Sequence, residues 1–273
     1  MREDLVLRIA AIAAVTAAMV VLAPTRANAQ HIGSITVVYN HEGSGAENDL
    51  VKRGGFAAYA RLEDRAVIFD AGGEASVVLE NLASLGLIDT EVAALVISHN
   101  HWDHVYGLPG VMRSASKAPP VYAVASSAAG IKQQFPRAEV IEVDGPKQIA
   151  PEVWLTGPLD VEFMDAPLSE QAMVLDLPKG LHIIVGCSHP GIVAIVERVR
   201  EMFPDKTISL VVGGLHLRST GEEEVRRIAS DLEGLGVQKI APSHCTGALA
   251  EKILRERWGQ NFFDFKLGDR IEF

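Results

Sequence analysis

Ser98-His99-Asn100-His101-Trp102-Asp103-His104 places three histidines and an aspartate within six positions. Imidazole suits Zn, Fe, Ni or Cu, and a carboxylate beside it suits paired cations that hold one water between them. Three shorter motifs carry related chemistry: Gly186-Cys187-Ser188-His189, Gly213-Gly214-Leu215-His216 and Pro242-Ser243-His244-Cys245. A lone histidine is usually a core or surface residue. Four such sites in one chain point instead to a single metal-binding centre.

Each motif follows a segment that can position it. Residues 92–97, 181–185, 208–212 and 239–241 are short, apolar and rich in β-branched types, and so read as strands. The last three are each followed by a helical pattern, at 192–202, 222–235 and 248–257. In layered α/β folds, ligands bind beyond the carboxyl ends of strands, and these ends would share one edge. Upstream, residue 35–39 reads as a strand, and 56–61 with 66–69 as a hairpin around Glu63-Asp64. Asp70-Ala71-Gly72-Gly73 then opens a helix at 74–85, with Val77, Val78, Leu82 and Leu85 at helical spacing. Further strands are expected at 121–125, 139–143, 153–156, 161–164 and 172–177. The last pairs with 181–185 around Pro178-Lys179-Gly180.

Residues 9–23 are apolar apart from Thr16, follow Arg2 and Arg8, and precede Ala27-Asn28-Ala29. The run is shorter than the roughly 20 residues of a spanning helix, and the small-x-small triplet fits signal-peptide cleavage. The expectation is a signal peptide over 1–29 and one exported domain over 30–273, periplasmic or secreted, with no membrane association after cleavage; Glu3 and Asp4 weaken the basic start, which leaves an uncleaved anchor as the alternative. The chain has 25 basic and 35 acidic residues. Removing Arg2, Arg8, Arg26, Glu3 and Asp4 leaves 22 against 33, a formal charge of −11. Such an acidic chain argues against nucleic acid as a partner; it says little about a site for the small-molecule substrate expected here, where local charge rules.

The only cysteines are Cys187 and Cys245, both beside histidines. Three readings stay open: a metal ligand or cavity-lining thiol, a disulfide between them, or two small buried packing residues. His31, His41 and His182 lack a strand-end context and read as surface or strand residues. Trp102 and Tyr106 either line a cleft or pack under the loop. Arg113, Lys117 and Lys147 read chiefly as solvated charge.

The pattern His99-x-His101-x-Asp103-His104, its preceding strand and Asp70-Ala71-Gly72-Gly73 resemble the metallo-β-lactamase superfamily. The resemblance spans about residues 33–273. The turns around Cys187, His216 and His244 resemble a branch of metal-dependent hydrolases and relatives of the dihydropterin ribofuranosylaminobenzene-phosphate synthase of methanogens. It implies an α/β fold, a four-layer αββα sandwich, and a metal-dependent hydrolase holding zinc, two ions in the full pattern, with iron or manganese as alternatives. By position, His99 and His101 resemble ligands of a first metal, and Asp103, His104 and His244 ligands of a second. His189 is assigned to the first, with Glu170 as its rival. Where the superfamily places a bridging aspartate after a strand-end glycine, this chain has Cys187. Asp103 would also orient the attacking hydroxide, and His216 would donate to a developing oxyanion, act as a ligand or stand behind one.

The expected substrate bond is an ester, lactone, lactam or phosphodiester. An iron-dependent, dioxygenase-like redox enzyme and a non-catalytic metal-binding protein are the alternatives. Diiron reductases of this fold usually carry a glutamate in the first motif, and this chain has none there.

Overall fold

The computed structural model describes residues 33–43, 49–63 and 65–273. The expected leader at 1–29 and His31 lie outside the described residues. In chain order the elements are β1 (Ser34–Tyr39), β2 (Ala57–Leu62), β3 (Arg65–Phe69), α1 (Ala75–Ser84), β4 (Val92–Ile97), α2 (Trp102–Val105), α3 (Leu108–Ser114), β5 (Val121–Val124), α4 (Ala125–Gln134) and β6 (Val140–Val143). There follow β7 (Lys147–Ala150), β8 (Val153–Leu155), β9 (Leu159–Phe163), β10 (Ala166–Glu170), β11 (Met173–Leu177), β12 (Gly180–Val185), α5 (Ile192–Met202), β13 (Ile208–Gly214), α6 (Glu222–Gly234), β14 (Ile240–Ser243), α7 (Ala248–Trp258) and β15 (Arg270–Glu272).

Seven strands form one sheet in the order β15-β1-β2-β3-β4-β5-β6, and six form another in the order β14-β13-β12-β11-β8-β7. Side chains that alternate along a strand serve two cores. In β12, Leu181, Ile183 and Val185 join the core shared with α5, α6 and α7, whereas Ile184 joins the core between the sheets. In β4, Ala94 and Val96 face the other sheet, whereas Leu95 and Ile97 face a third core that includes α1, α3 and α4. Helix α5 buries Ile192, Ile195, Val196 and Val199, an i, i+3, i+4, i+7 stripe. The result is the αββα order of four layers.

Several elements differ from expectation. Residue 125 ends no strand; it begins α4, whose Ala- and Ser-rich sequence gives little apolar contrast between faces. Helices α2 and α3 are too short to show a periodicity. Strands β7 and β15 are short and half-exposed, and β10 contains Pro167, which its position in a separate two-stranded hairpin with β9 tolerates.

The parallel strands set the site. Val185 of β12 aligns with Gly213 of β13, and Gly214 aligns with Ser243 of β14, so their carboxyl ends lie level. In the first sheet β3 and β4 are parallel and end at Phe69 and Ile97. The two edges meet at Gly186. A Cβ there would lie 2.3 Å from Ser98 Oγ and 2.9 Å from Asp70 Oδ2, so this approach requires glycine.

Candidate metal centre

The first sheet supplies a histidine loop held by one buried carboxylate. Asp70, just past β3, accepts hydrogen bonds from the Ser98 N–H (2.7 Å) and the Ser98 hydroxyl (2.8 Å). Its Oδ2 also lies 2.7 Å from His104 Nδ1. Because the Ser98 hydroxyl gives its single proton to Asp70, it must accept from His99 Nδ1, 2.8 Å away. That tautomer leaves a lone pair on His99 Nε2, which faces His101 Nδ1 at 3.0 Å. With Nδ1 occupied, His104 Nε2 points to Cys187 Sγ at 3.3 Å and to Asp103 Oδ2 at 3.8 Å.

The second sheet supplies three turns. After β12, buried Glu170 accepts from three consecutive backbone N–H groups: Cys187 (2.9 Å), Ser188 (2.8 Å) and His189 (2.7 Å). It also bonds His189 Nδ1 at 2.9 Å. Glu170 thus stands behind His189 and fixes the direction of its other nitrogen. Burial pushes the Glu170 pKa up, but its hydrogen bond and attraction to His189, with the backbone donors, bring it below the ordinary value. Ser188, His216 and His244 all have positive φ, at 65°, 54° and 52°. Non-glycine residues hold that conformation only where their surroundings enforce it, and such strain concentrates at functional sites.

These loops gather the sequence-predicted residues. The His99 ring centroid lies 4.5 Å from His101, 4.7 Å from His189 and 4.2 Å from His104. His104 and His244 are 5.1 Å apart, and His244 Nε2 lies 3.7 Å from Asp103 Oδ2. Donor atoms of His99, Cys187 and His189 lie within 4.8 Å of one another, as do those of His104, Cys187 and His244. Cys187 is therefore common to both groups. His216 sits beside them, 4.5 Å from the His189 ring and grouped with Cys187 and Cys245.

Protonation follows the surroundings. Burial, then repulsion from neighbouring histidines, lowers His99 and His244 well below the ordinary imidazole value, and the same causes lower His101. Neutral imidazoles are what a cation needs. Burial alone would also lower His104, but the charge and hydrogen bond of Asp70, then Asp103 and Glu170, raise it to about 9. Cys187 and Cys245 are free thiols, which answers the disulfide alternative for this structure. The Cys187 thiol beside it, assisted by His216, holds Cys245 below the ordinary thiol value, and the same contact, with burial, holds Cys187 above it.

The donors open onto a cavity of about 620 Å³, lined also by His41, Gly54, Gly55, Phe163, Arg218 and Ser219. His41, expected to be a surface residue, lies on this wall with its ring 6.3 Å from His244. No sequence signal separated it from other histidines. Arg218 and Phe163 were likewise not foreseen. His182 is a buried strand residue, as expected. Trp102 and Tyr106 are 56% and 49% exposed and are not among the cavity residues, and the Trp102 ring lies against Gly73. Arg113 lines a separate groove beside Leu108 and Phe135, and Lys117 and Lys147 are absent from the cavity wall.

Residues 51–200 match the family model of the metallo-beta-lactamase superfamily. A 7,8-dihydropterin-6-methyl-4-(beta-D-ribofuranosyl)-aminobenzene-5'-phosphate synthase from Methanocaldococcus jannaschii is 27% identical over 247 residues, covering 76% of this chain and 84% of that protein. A solved metal-dependent hydrolase of the beta-lactamase superfamily is 25% identical, with a TM-score of 0.72 over 89% of this chain and 99% of its own. The metallo-beta-lactamase fold protein YhfI from Bacillus subtilis has a TM-score of 0.62 at 15% identity, covering 89% of this chain and all of its own, a likeness of fold. With its αββα layers and clustered histidines, this chain belongs to the metallo-beta-lactamase superfamily.

Proposed function

We propose that this chain is a metal-dependent hydrolase acting on an ester, lactone, lactam or phosphodiester. One observation carries the reading: the donor groups that share Cys187 gather at a single cavity, with buried partners fixing His99, His104 and His189. The Nδ1 atoms of His99, His104 and His189 are occupied by Ser98, Asp70 and Glu170. Such partners fix ring orientation and strengthen the facing nitrogen as a ligand. Imidazole, thiol and carboxylate donors together fit zinc, with iron or manganese as the lesser fits.

His99, His101 and His189 would hold one ion and Asp103, His104 and His244 the other, with Cys187 between them. Ions held there would supply a water whose pKa is lowered towards neutrality and would polarise the oxygen under attack. Asp103 Oδ2, within 4 Å of both His104 and His244, is placed to orient the attacking water. His216 faces the cavity, and its contact with Cys245 raises its pKa, outweighing burial. As a proton donor it stabilises developing negative charge on the substrate oxygen, an effect of about 3 kcal/mol in oxyanion sites. Glu170, Asp70 and Ser98 keep these groups in place without touching substrate.

Metal analysis and a panel of esters, lactones, β-lactams and phosphodiesters test the reading. Two zinc ions per chain and turnover of one class are expected. Asp103→Ala and His101→Ala should each lose metal and reduce turnover by orders of magnitude while keeping the native circular dichroism. One iron per chain with no hydrolysis would favour redox chemistry; absence of bound metal and turnover would favour a binding role. The methanogen relative is named a synthase, so group transfer to a nucleophile other than water is the second reading for this cavity. The leader proposed over 1–29 predicts a mature chain beginning near Gln30 outside the cytoplasm, which N-terminal sequencing from the native host checks.

A further inference from the structure

Arg218 belongs to neither donor group, yet the fold holds it at the cavity wall. Beyond β13 the side chains alternate: Leu215 and Leu217 enter the core shared with α5, α6 and α7, whereas His216 and Arg218 line the cavity. A Cβ on Gly247, at φ 85°, would lie 2.6 Å from Arg218 Cα, so the arginine backbone is pressed against the loop that carries His244. The side chain is tethered as well. Arg218 Nη2 donates to the His244 carbonyl at 3.2 Å and lies 3.2 Å from His41 Nε2. Both contacts use Nη2. The donors on Nε and Nη1 have no protein partner among the described residues.

No carboxylate pairs with Arg218 among the described residues. On the outer helices of this acidic protein, Arg226, Arg227, Arg255 and Arg257 each meet Asp or Glu. Arg218 is also the one permanent cation among the described cavity residues, with Phe163 on the wall near His101, His189 and His216. Guanidinium is always charged, less strongly hydrated than ammonium and suited to oxyanions.

We propose that Arg218 is a specificity-determining residue that binds an anionic substituent of the substrate, a carboxylate or phosphate, on the His244 side of the bond that is broken. This rests on the hydrolase reading and narrows it to substrates with a fixed negative charge. Phe163 provides an apolar face for the substrate body between that charge and the reacting bond.

The test compares wild type, Arg218→Gln and Arg218→Lys, each with verified zinc content. Two esters with one leaving group are used: neutral 4-nitrophenyl acetate and the carboxylate-bearing 4-nitrophenyl hydrogen succinate. Arg218→Gln should lower kcat/KM for the succinate ester about 10- to 100-fold, mainly through KM, the range expected for a charged hydrogen bond. The acetate ester should change less than about twofold, and Arg218→Lys should recover part of the loss. Wild-type preference for the charged ester should shrink with added salt. Equal losses on both esters, or none on either, would overturn the proposal. Calorimetric titration with inorganic phosphate reads the same site without turnover. Arg218→Gln should weaken phosphate binding about tenfold at unchanged zinc content, and unchanged affinity would overturn the proposal. If wild type cleaves neither ester, the hydrolase reading for these substrates fails, and the phosphate titration decides the role of Arg218. If Arg218→Gln loses zinc, the zinc-replete Arg218→Lys variant decides instead: phosphate binding weakened less than about tenfold, with the acetate ester unaffected, supports charge recognition, and any greater loss, or a loss on the acetate ester, overturns it.

Discussion

Strand β12 starts beside one buried histidine and ends beside another. Near its first residue, His182 packs edge-on against Phe273 at 4.7 Å, and its Nδ1 is buried with no hydrogen-bond partner. Past its last residue, Cys187 touches His104, whose Nδ1 rests on Asp70. Burial disfavours the charged form of both rings. At His182 nothing opposes it and Lys239 adds repulsion, so its pKa falls to about 4. At His104 the carboxylates reverse the sign and raise it to about 9. Depth in the sandwich thus sets the cost of charge, and the buried carboxylate decides which state wins. Asp70 and Glu170 are both placed at the edge where the donor groups converge.

Removing a carboxylate from that edge should have the largest effect. Glu170→Gln keeps the shape but replaces an accepting oxygen with an amide that donates. At least one N–H of the Cys187–His189 turn then loses its partner, at about 1 to 3 kcal/mol for each unsatisfied group. His189 also loses its orienting acceptor. Thermal unfolding should shift down by roughly 5 to 10 °C, given about 2–4 °C per kcal/mol in a domain of this size. Zinc affinity, measured by competition with a chelator, should fall about 10- to 100-fold. A Gln variant matching wild type in both would show that Glu170 is not what holds the turn.

A smaller effect is expected in proton release at His104. Its raised pKa means that it carries a proton at pH 7, and a cation needs the lone pair that this proton occupies. Zinc binding to the metal-free protein should therefore displace that proton, and affinity should rise with pH until about 9. Asp70→Asn removes the charge that raises the pKa, so the variant should release about one proton fewer at pH 7. Calorimetry in two buffers of unlike ionisation enthalpy measures the difference. Equal release from both proteins would mean that Asp70 does not set the state of His104.

The two ends also differ in what the sequence discloses. His99, His101, Asp103 and His104 are legible because one loop carries all four donors after an apolar strand. His189, His216 and His244 are legible because each follows a strand with a helix beyond it. Glu170 is legible only as a rival ligand, not as the group that orients His189 from 19 residues away, across the β11–β12 hairpin. His41 and Arg218 meet at a separation of 177 residues, where no spacing rule applies. Alternating strands and amphipathic helices such as α5 disclose a layered α/β fold, and the four-layer order is what the superfamily resemblance implies. Helix α4 was hidden because Ile131 is the one large apolar residue on a buried face shared with Ser127 and Ala128, which leaves little trace in a hydropathy pattern.

The smallest effect belongs to His182, where the comparison can be tested without touching the donor groups. Its pKa of about 4 lies below the 6.5 of an unfolded histidine. Between those values the unfolded chain takes up a proton that the folded ring refuses. Stability is therefore undiminished above pH 6.5 and is lost as pH falls, with the full loss reached below about 4. Between pH 7 and pH 5 this one residue should cost about 2 kcal/mol, since each pH unit below 6.5 contributes about 1.4 kcal/mol. His182→Leu removes the titrating ring and its unpaired nitrogen from an apolar setting of similar depth. Urea unfolding at both pH values should show a smaller acid loss in the variant than in wild type, by about 2 kcal/mol, with metal content unchanged. Taking the difference cancels the acid sensitivity contributed by His99 and His244 at the other end. If both proteins lose the same stability on acidification, His182 is protonated as readily in the fold as outside it, and the missing carboxylate is not what separates the two ends of β12.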